Sequence, residues 1–221
     1  MKQKILIGTN NPSKLTRMSA CLDQQLYDCV SPAMLGLQVT IPENEATAEG
    51  NAREKALAFY QASKLPVLAA DSGLVFLDLP RDHPDQPGVH VRRPAGHSVL
   101  TDDEDMIAYY TAVIRRHGGR LRAAWQDAWC FMINEETVLT FMDDDEILSR
   151  HAMLLVDFVS HSRHPGWPLD SLTYSETLGK HWADLTHAEK AVAKEKDFIG
   201  FEDDQQRFRD WLALALSNLN Q

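Results

Sequence analysis

Lys4-Ile5-Leu6-Ile7-Gly8-Thr9-Asn10-Asn11-Pro12-Ser13-Lys14 carries a strand, a polar turn and a helix start within eleven residues. Ile5-Leu6-Ile7 reads as a buried strand running into the polar turn Thr9-Asn10-Asn11. A helix follows at once: Asn11 suits the N-cap, Pro12 suits the first helical position, and Leu15, Met18 and Leu22 recur at helical spacing. Working outward, Tyr27 to Val30 is a second strand, and a second helix runs from about Ala46 to Ser63 until Leu65-Pro66 breaks it. Val67-Leu68-Ala69-Ala70 returns as a buried strand that ends at a turn, Asp71-Ser72-Gly73, and Leu74-Val75-Phe76-Leu77 continues extended beyond it. Strand and helix alternating in this way place the chain in the α/β class.

The segment Pro80 to Gly96 is rich in Pro, His, Asp and Arg and has no periodicity, which marks a long loop. Thr101 with Glu104 forms a capping box for a helix that carries Ile107, Tyr110, Val113 and Ile114 on one face and stops at Gly118. Two extended runs, Leu121 to Ile133 and Thr137 to Met142, form a hairpin about Asn134-Glu135-Glu136. Ala152 to Val159 is a further strand. A last helix sets Phe208, Trp211, Leu212, Ala215, Leu216 and Leu219 on one stripe. The hairpin inside the alternation predicts a mixed sheet, with a cleft where strand ends meet loops.

The chain has 221 residues, with 22 Lys and Arg against 32 Asp and Glu, for a formal charge of −10. That balance works against docking on a nucleic-acid polymer or an anionic membrane, while a small anionic ligand can still be held by local amides, lysines and a metal. Cys21, Cys29 and Cys130 lack metal-ligand spacing, and Ile5-Leu6-Ile7 is too short an apolar run for a signal peptide, so a reducing cytoplasm is expected. No stretch approaches the roughly 20 apolar residues that span a bilayer. His83, His90 and His97 fall in the long loop and His151, His161 and His164 lack a close Cys or acid, so no zinc site is expected.

Four places could carry chemistry. At Thr9-Asn10-Asn11-Pro12-Ser13-Lys14, backbone amides and the helix dipole favour an anion and Lys14 adds positive charge, although the same residues suit an ordinary capped helix. Neither a Walker loop nor a dinucleotide fingerprint is present. Glu43 precedes the second helix, where a carboxylate can reach a metal, while Glu45, Glu49 and Arg53 fall at i, i+4 and i+8 and read as a solvated face stitched by ion pairs. Asp71 stands at the exit of a buried strand, a typical position for holding Mg²⁺ at a phosphate site, and Asp-Ser-Gly is also a common turn. Trp167 could stack on a base with Asp170 reading its edge and Lys190 touching base or phosphate, or it could fill a core gap beside an exposed helix start.

Taken together, the order and spacing of these places resemble the inosine triphosphate pyrophosphatase family. Thr9, Asn11 and Lys14 match its Thr-x-Asn-x-x-Lys loop; Asn51-Ala52 and Lys55-Ala56 match the helix after its metal-binding glutamate, here Glu43. Asp71-Ser72-Gly73-Leu74 matches its Asp-Ser-Gly-Leu signature, and Pro87-Gly88-Val89 with Arg93 and Gly96 the segment beyond. Gly166-Trp167 and Asp170 resemble its base-pocket loop, and Leu185-Thr186 with Glu189-Lys190 its Leu-Thr-x-x-Glu-Lys. The resemblance implies one domain over 1–221, an elongated mixed β-sheet flanked by helices, two lobes around a nucleotide cleft, and a homodimer. It implies that Glu43 and Asp71 hold Mg²⁺, with Mn²⁺ as a substitute, on a purine nucleoside triphosphate. Lys14 and Lys55 would neutralise phosphate, Thr9, Asn10, Asn11 and Ser72 would line the phosphate end, and Asp71 would activate water for attack at the α-phosphorus. Asp71→Asn is then expected to stop turnover with the fold intact.

The chain departs from that family at three points. Ala70 replaces the first of two adjacent acids before Ser-Gly. Gly50 replaces an acid before Asn-Ala, where Glu49 could substitute by a small shift. Lys194-Glu195-Lys196 aligns with the Ser-His-Arg that reads the 6-oxo edge, so a buried Glu195 beside Lys196 would disfavour inosine triphosphate and favour a base presenting an amino donor. A nucleotide-binding sensor with little hydrolysis is the alternative reading, which retention of Lys14, Glu43, Lys55 and Asp71 disfavours.

Overall fold

The structure, a computed structural model, describes residues 2–42, 44–94, 99–197 and 201–220. Glu43, Gly96 and His97 lie outside the described residues. The chain orders as β1 (Gln3–Ile7), α1 (Pro12–Ala20), β2 (Tyr27–Val30), α2 (Ala48–Ser63), β3 (Val67–Phe76), α3 (Asp103–Arg116), β4 (Arg120–Met132), β5 (Val138–Met142), α4 (Asp145–Arg150), β6 (Met153–Val156), β7 (Thr173–Ser175), β8 (Lys180–His181), α5 (His187–Asp197) and α6 (Phe201–Ser217). The strands form an 8-stranded sheet in the order β2-β1-β3-β4-β6-β7-β8, with β5 on β4. β1 pairs in parallel with β2 and β3, whereas β4 pairs antiparallel with β5 and β6. The sheet is therefore mixed, as the sequence predicts for an α/β chain with a hairpin.

The chain divides into two compact units, 1–72 with 127–143 and 202–221, and 73–126 with 144–201. In the first, Ile5, Ile7 and Leu68 pack with Met18 and Leu22 of the α1 segment, Trp129 and Phe131 of β4, and Leu212 and Ala215 of α6. Phe208, Trp211, Leu216 and Leu219 join them, so the predicted C-terminal stripe is the face that α6 buries. In the second, Ile107, Tyr110, Val113 and Ile114 of α3 pack on Leu74, Phe76, Leu121 and Leu155. The helix face read from 3.6-residue spacing is this core face. Among the described residues no helix is long and apolar enough to cross a membrane.

Two local expectations are corrected. β3 runs unbroken from Val67 to Phe76, so Asp71-Ser72-Gly73 lies inside a strand and is not a turn. The glycine answers a close approach: a Cβ at Gly73 would stand 2.9 Å from the Gly88 carbonyl oxygen, and the Leu74 N–H donates to that same oxygen at 2.8 Å. At α3, Asp102 is the N-cap and accepts the Asp105 N–H at 2.8 Å, while the Asp105 carboxylate accepts the Thr101 N–H and hydroxyl. Glu104 instead pairs with Arg163. The reciprocal box is shifted because Asp102, as good a cap as Thr101, stands one residue nearer the helix.

Candidate active site

The loop after β1 builds the first wall. The Gly8 N–H donates to the Leu68 carbonyl at 2.8 Å and ties the loop to β3. The Asn11 N–H donates to Thr9 Oγ1, and Asn11 Oδ1 accepts the amides of Ser13 and Lys14 at 2.9 and 3.2 Å. Asn11 and Pro12 thus cap and open α1 as their residue types predict. The cap and a pocket coexist: Gly8, Thr9, Asn10, Asn11 and Lys14 line a cavity of about 330 Å³ with Ile41 of the loop before α2, Lys55 and Phe59 of α2, and Ala70 and Asp71 of β3.

Asp71 is the buried acid of this cavity, 8% exposed. Its Oδ1 lies 2.6 Å from Lys55 Nζ, and its Oδ2 accepts the Asn51 amide at 3.0 Å. Asn51 is held in turn, since its Oδ1 accepts the Glu45 N–H at 3.1 Å. Asn51, Ala52, Lys55, Ala56 and Phe59 are the buried residues of α2 beyond Ala48, so one face of the helix delivers the polar pair and the apolar packing together. Lys14 belongs to the same electrostatic group. Burial pushes its pKa below the usual lysine range and the Lys55 charge adds to that, with Asp71 and Asp127 pulling the other way. A cavity holding two lysines of which one is loosely compensated is suited to a polyanion.

Sequence reasoning missed Asn51 as a site residue and missed Asp127 altogether. Asp127 of β4 accepts the Ser72 hydroxyl proton at 2.5 Å on Oδ1 and faces Arg17 Nη1 at 2.9 Å on Oδ2. The available signal was a carboxylate within an extended run, between Trp125 and Trp129 and just before the apolar stretch Ala128 to Met132. Glu49, expected to pair along its own helix or to replace the acid absent at Gly50, accepts the Thr140 hydroxyl at 2.6 Å instead. The space over Gly50 is taken by the Glu45 side chain, whose Cβ would be 2.8 Å from a Cβ at residue 50.

The remaining predicted residues lie in the second unit. Trp167 is 61% exposed, so it fills no core gap. Asp170 Oδ2 contacts His164 Nδ1 at 2.8 Å, in the 3-10 turn Pro168–Ser171. Lys190 Nζ lies 5.5 Å from the centre of the Trp182 ring, at the start of α5, where Thr186 and Glu189 form a reciprocal cap. Glu195 and Lys196 are exposed in the last turn of α5, which corrects the expectation of a buried carboxylate at 195: Ala193, not Glu195, is the buried residue of that turn. Of the loop histidines, His90 is exposed as expected while His83 is half-buried. His83, Asp85 and His117 offer ligand atoms within 4.8 Å of one another, but Arg116 Nη2 lies 2.7 Å from Asp85 and sets a positive charge against any cation there. This group reads as a clasp between loop and α3.

A family model described as the Ham1 family matches residues 5–149, about two thirds of the chain. The chain belongs to the Ham1 family. A dITP/XTP pyrophosphatase of Porphyromonas gingivalis is 35% identical over 100 residues, 45% of this chain and 49% of that protein. One of Treponema pallidum is 36% identical over 121 residues, 54% of this chain and 42% of that protein. The chain thus spans about half the length of these two relatives. A dITP/XTP pyrophosphatase of Lactiplantibacillus plantarum matches along nearly its whole length, 28% identical over 216 residues, 96% of this chain and 98% of that protein. The fold matches the Staphylococcus aureus Ham1 protein with a TM-score of 0.66 at 21% identity, covering 93% of this chain and 98% of that one. It also matches a nucleoside-triphosphatase, dITP/XTP pyrophosphatase, of Mycobacterium abscessus, with a TM-score of 0.63 at 24% identity, covering 88% and 95%.

Proposed function

We propose that this chain hydrolyses a nucleoside triphosphate, of the non-canonical or modified purine class, to the monophosphate and pyrophosphate in the cavity around Asp71. The observation that carries the reading is the Asp71 carboxylate held between Lys55 and Asn51 in a cavity that Lys14 also lines. The relatives named dITP/XTP pyrophosphatases support it.

In this reading Lys14 and Lys55 neutralise the phosphate chain, and the loop Thr9-Asn10-Asn11 orients it. Asp71 orients the attacking water and takes its proton, and Asn51 keeps that carboxylate in one rotamer. The donors fit a hard cation. Asp71 offers carboxylate oxygen, the described residues that line the cavity include no thiol or imidazole, and Asp71 with Glu43 would hold Mg²⁺ or Mn²⁺. When bound, the metal would supply charge stabilisation at the phosphoryl oxygens. Catalysis is then mostly positioning and charge compensation.

The deciding measurement is product chromatography after incubation with inosine, xanthosine and adenosine triphosphates and Mg²⁺. Monophosphate and pyrophosphate in equal amounts, lost with chelator, are expected. Diphosphate and orthophosphate as main products would overturn the mechanism, and tight nucleotide binding with no product would favour the binding module.

A further inference from the structure

We propose that Asp127 is a positioning residue of this site, supplying from the neighbouring strand the second negative charge that position 70 lacks and fixing the Ser72 hydroxyl as an acceptor. The inference rests on the pyrophosphatase reading above and adds a residue to it.

The geometry begins with strand alternation. Side chains of β3 alternate between faces, so Ala70 and Ser72 share one face and Asp71 takes the other, toward Asn51 and Lys55 of α2. β4 lies next to β3 in the sheet, and its Asp127 reaches Ser72 at 2.5 Å. A carboxylate therefore stands on the face of position 70, where the chain's own residue is alanine.

Asp127 is held there from several sides. Its N–H donates to Asp143 Oδ2 and its carbonyl accepts the Asp143 N–H, both at 3.0 Å, which fixes the strand at the hairpin end. Its Oδ2 meets Arg17, and that guanidinium is pinned in turn 5.3 Å over the Trp129 ring. Arg17 lies three residues after Lys14, on the same face of α1. The helix face that carries the pocket lysine is thus the face anchored on Asp127.

Two chemical consequences follow. A serine hydroxyl has one proton and two lone pairs, so with its proton given to Asp127, Ser72 can present only acceptor capacity elsewhere. It can then receive a hydrogen from water or face a hard cation, but cannot donate to a phosphate oxygen. Charge is the second consequence. Lys14, Lys55 and Arg17 stand against Asp71 and Asp127 in this neighbourhood, and Asp71 is already engaged by Lys55 and Asn51. Neutralising Asp127 would remove one of the two described carboxylates that face Lys14, a less favourable setting for a divalent metal.

The test uses Asp127→Asn, which keeps the shape and can still accept the Ser72 proton, and the same change with Ala70→Asp. Pyrophosphate release and Mn²⁺ binding to the nucleotide-free protein, read as free Mn²⁺ by electron paramagnetic resonance, are followed together. Asp127→Asn is expected to lower kcat about tenfold with KM changed less than about threefold, and to weaken Mn²⁺ binding about fivefold, at an unchanged Tm. Ala70→Asp in that background is expected to recover both. Should the double variant fail to fold, Asp127→Asn by itself decides through its Mn²⁺ affinity. Wild-type Mn²⁺ affinity and turnover in Asp127→Asn would overturn the inference while leaving the pyrophosphatase intact. So would a fall in Tm that activity merely follows and Ala70→Asp does not repair. A wild-type protein that neither releases pyrophosphate nor binds Mn²⁺ would overturn both readings.

Discussion

The cavity around Asp71 and the segment from Trp167 to Asp170 with the end of α5 were both expected to touch substrate, and they are built differently. Asp71, Asn51 and Lys55 are 8%, 2% and 9% exposed and bonded to one another. Trp167 is 61% exposed, and Glu195 and Lys196 stand in solvent. The charges of Lys55 and Asp71, proposed to act on a phosphate chain, are paired within the folded protein, where low-dielectric surroundings make each of them count. Trp167, Glu195 and Lys196 are left solvated, so they can be exchanged with little effect on the fold, whereas Asp170 is half-buried against His164. The first region couples activity to stability; the second separates them.

Asp71→Asn is the strongest way to break that contrast. Turnover is expected to fall on the order of a thousandfold, since the charge that would hold metal and orient water is gone. The fold also pays: the buried Lys55–Asp71 ion pair is broken, and stability should drop by about 3 kcal/mol in a denaturant titration. The expectation that this substitution spares the fold is therefore revised. Lys55→Met with Asp71→Leu should recover most of the lost stability and none of the turnover, because a well-packed apolar pair replaces a buried ion pair at little net cost. Full stability in Asp71→Asn alone would show that the pair is solvated in solution.

Lys14 sharpens the contrast through pH. Burial, with the Lys55 charge, lowers its pKa from the usual lysine value, so the free protein loses this charge at a lower pH than an exposed lysine would. As pH rises through that value kcat/KM should fall, and Lys14→Arg should carry the fall to higher pH because a guanidinium stays charged. The linkage has the opposite sign for stability. Where the folded pKa lies below the unfolded one, the unfolded chain binds more protons, so this group's contribution to stability rises with pH across that interval. An alkaline limb unchanged in Lys14→Arg would assign the titration to another group.

The smallest effect belongs to the exposed region. Glu195→His with Lys196→Arg should raise kcat/KM for inosine relative to adenosine triphosphate, by about two- to fivefold rather than the tenfold or more that a buried mismatch would give. Stability should not change. An unaltered ratio would remove this turn of α5 from base recognition and leave the Asp71 cavity standing.

Much of the fold was legible because it rests on local patterns. The Asn11-Pro12 start of α1, the apolar face of α3, the β4–β5 hairpin and the stripe of α6 are each written in capping types or in periods of two and 3.6 residues. The resemblance to inosine triphosphate pyrophosphatases likewise picked out Lys14, Lys55 and Asp71, three residues that line one cavity. Local reading failed where the reason was distant. Asp71-Ser72-Gly73 has the composition of a turn, and it is a strand because Gly88 approaches Gly73 and adjacent strands pair along it. Glu49 looked like one member of a helical ion-pair ladder and is taken by Thr140, 91 residues away.

By itself, then, the sequence determined the α/β class, the caps and the apolar faces, since each depends on neighbours within a few positions along the chain. Tertiary structure alone decided that Asp71 would be clasped by Lys55 and Asn51 at separations of 16 and 20 residues, and that Asp127, 55 residues from Ser72, would stand on the face of Ala70. No periodicity encodes such pairs, because strand adjacency in a sheet joins segments whose distance along the chain is set by the elements between them.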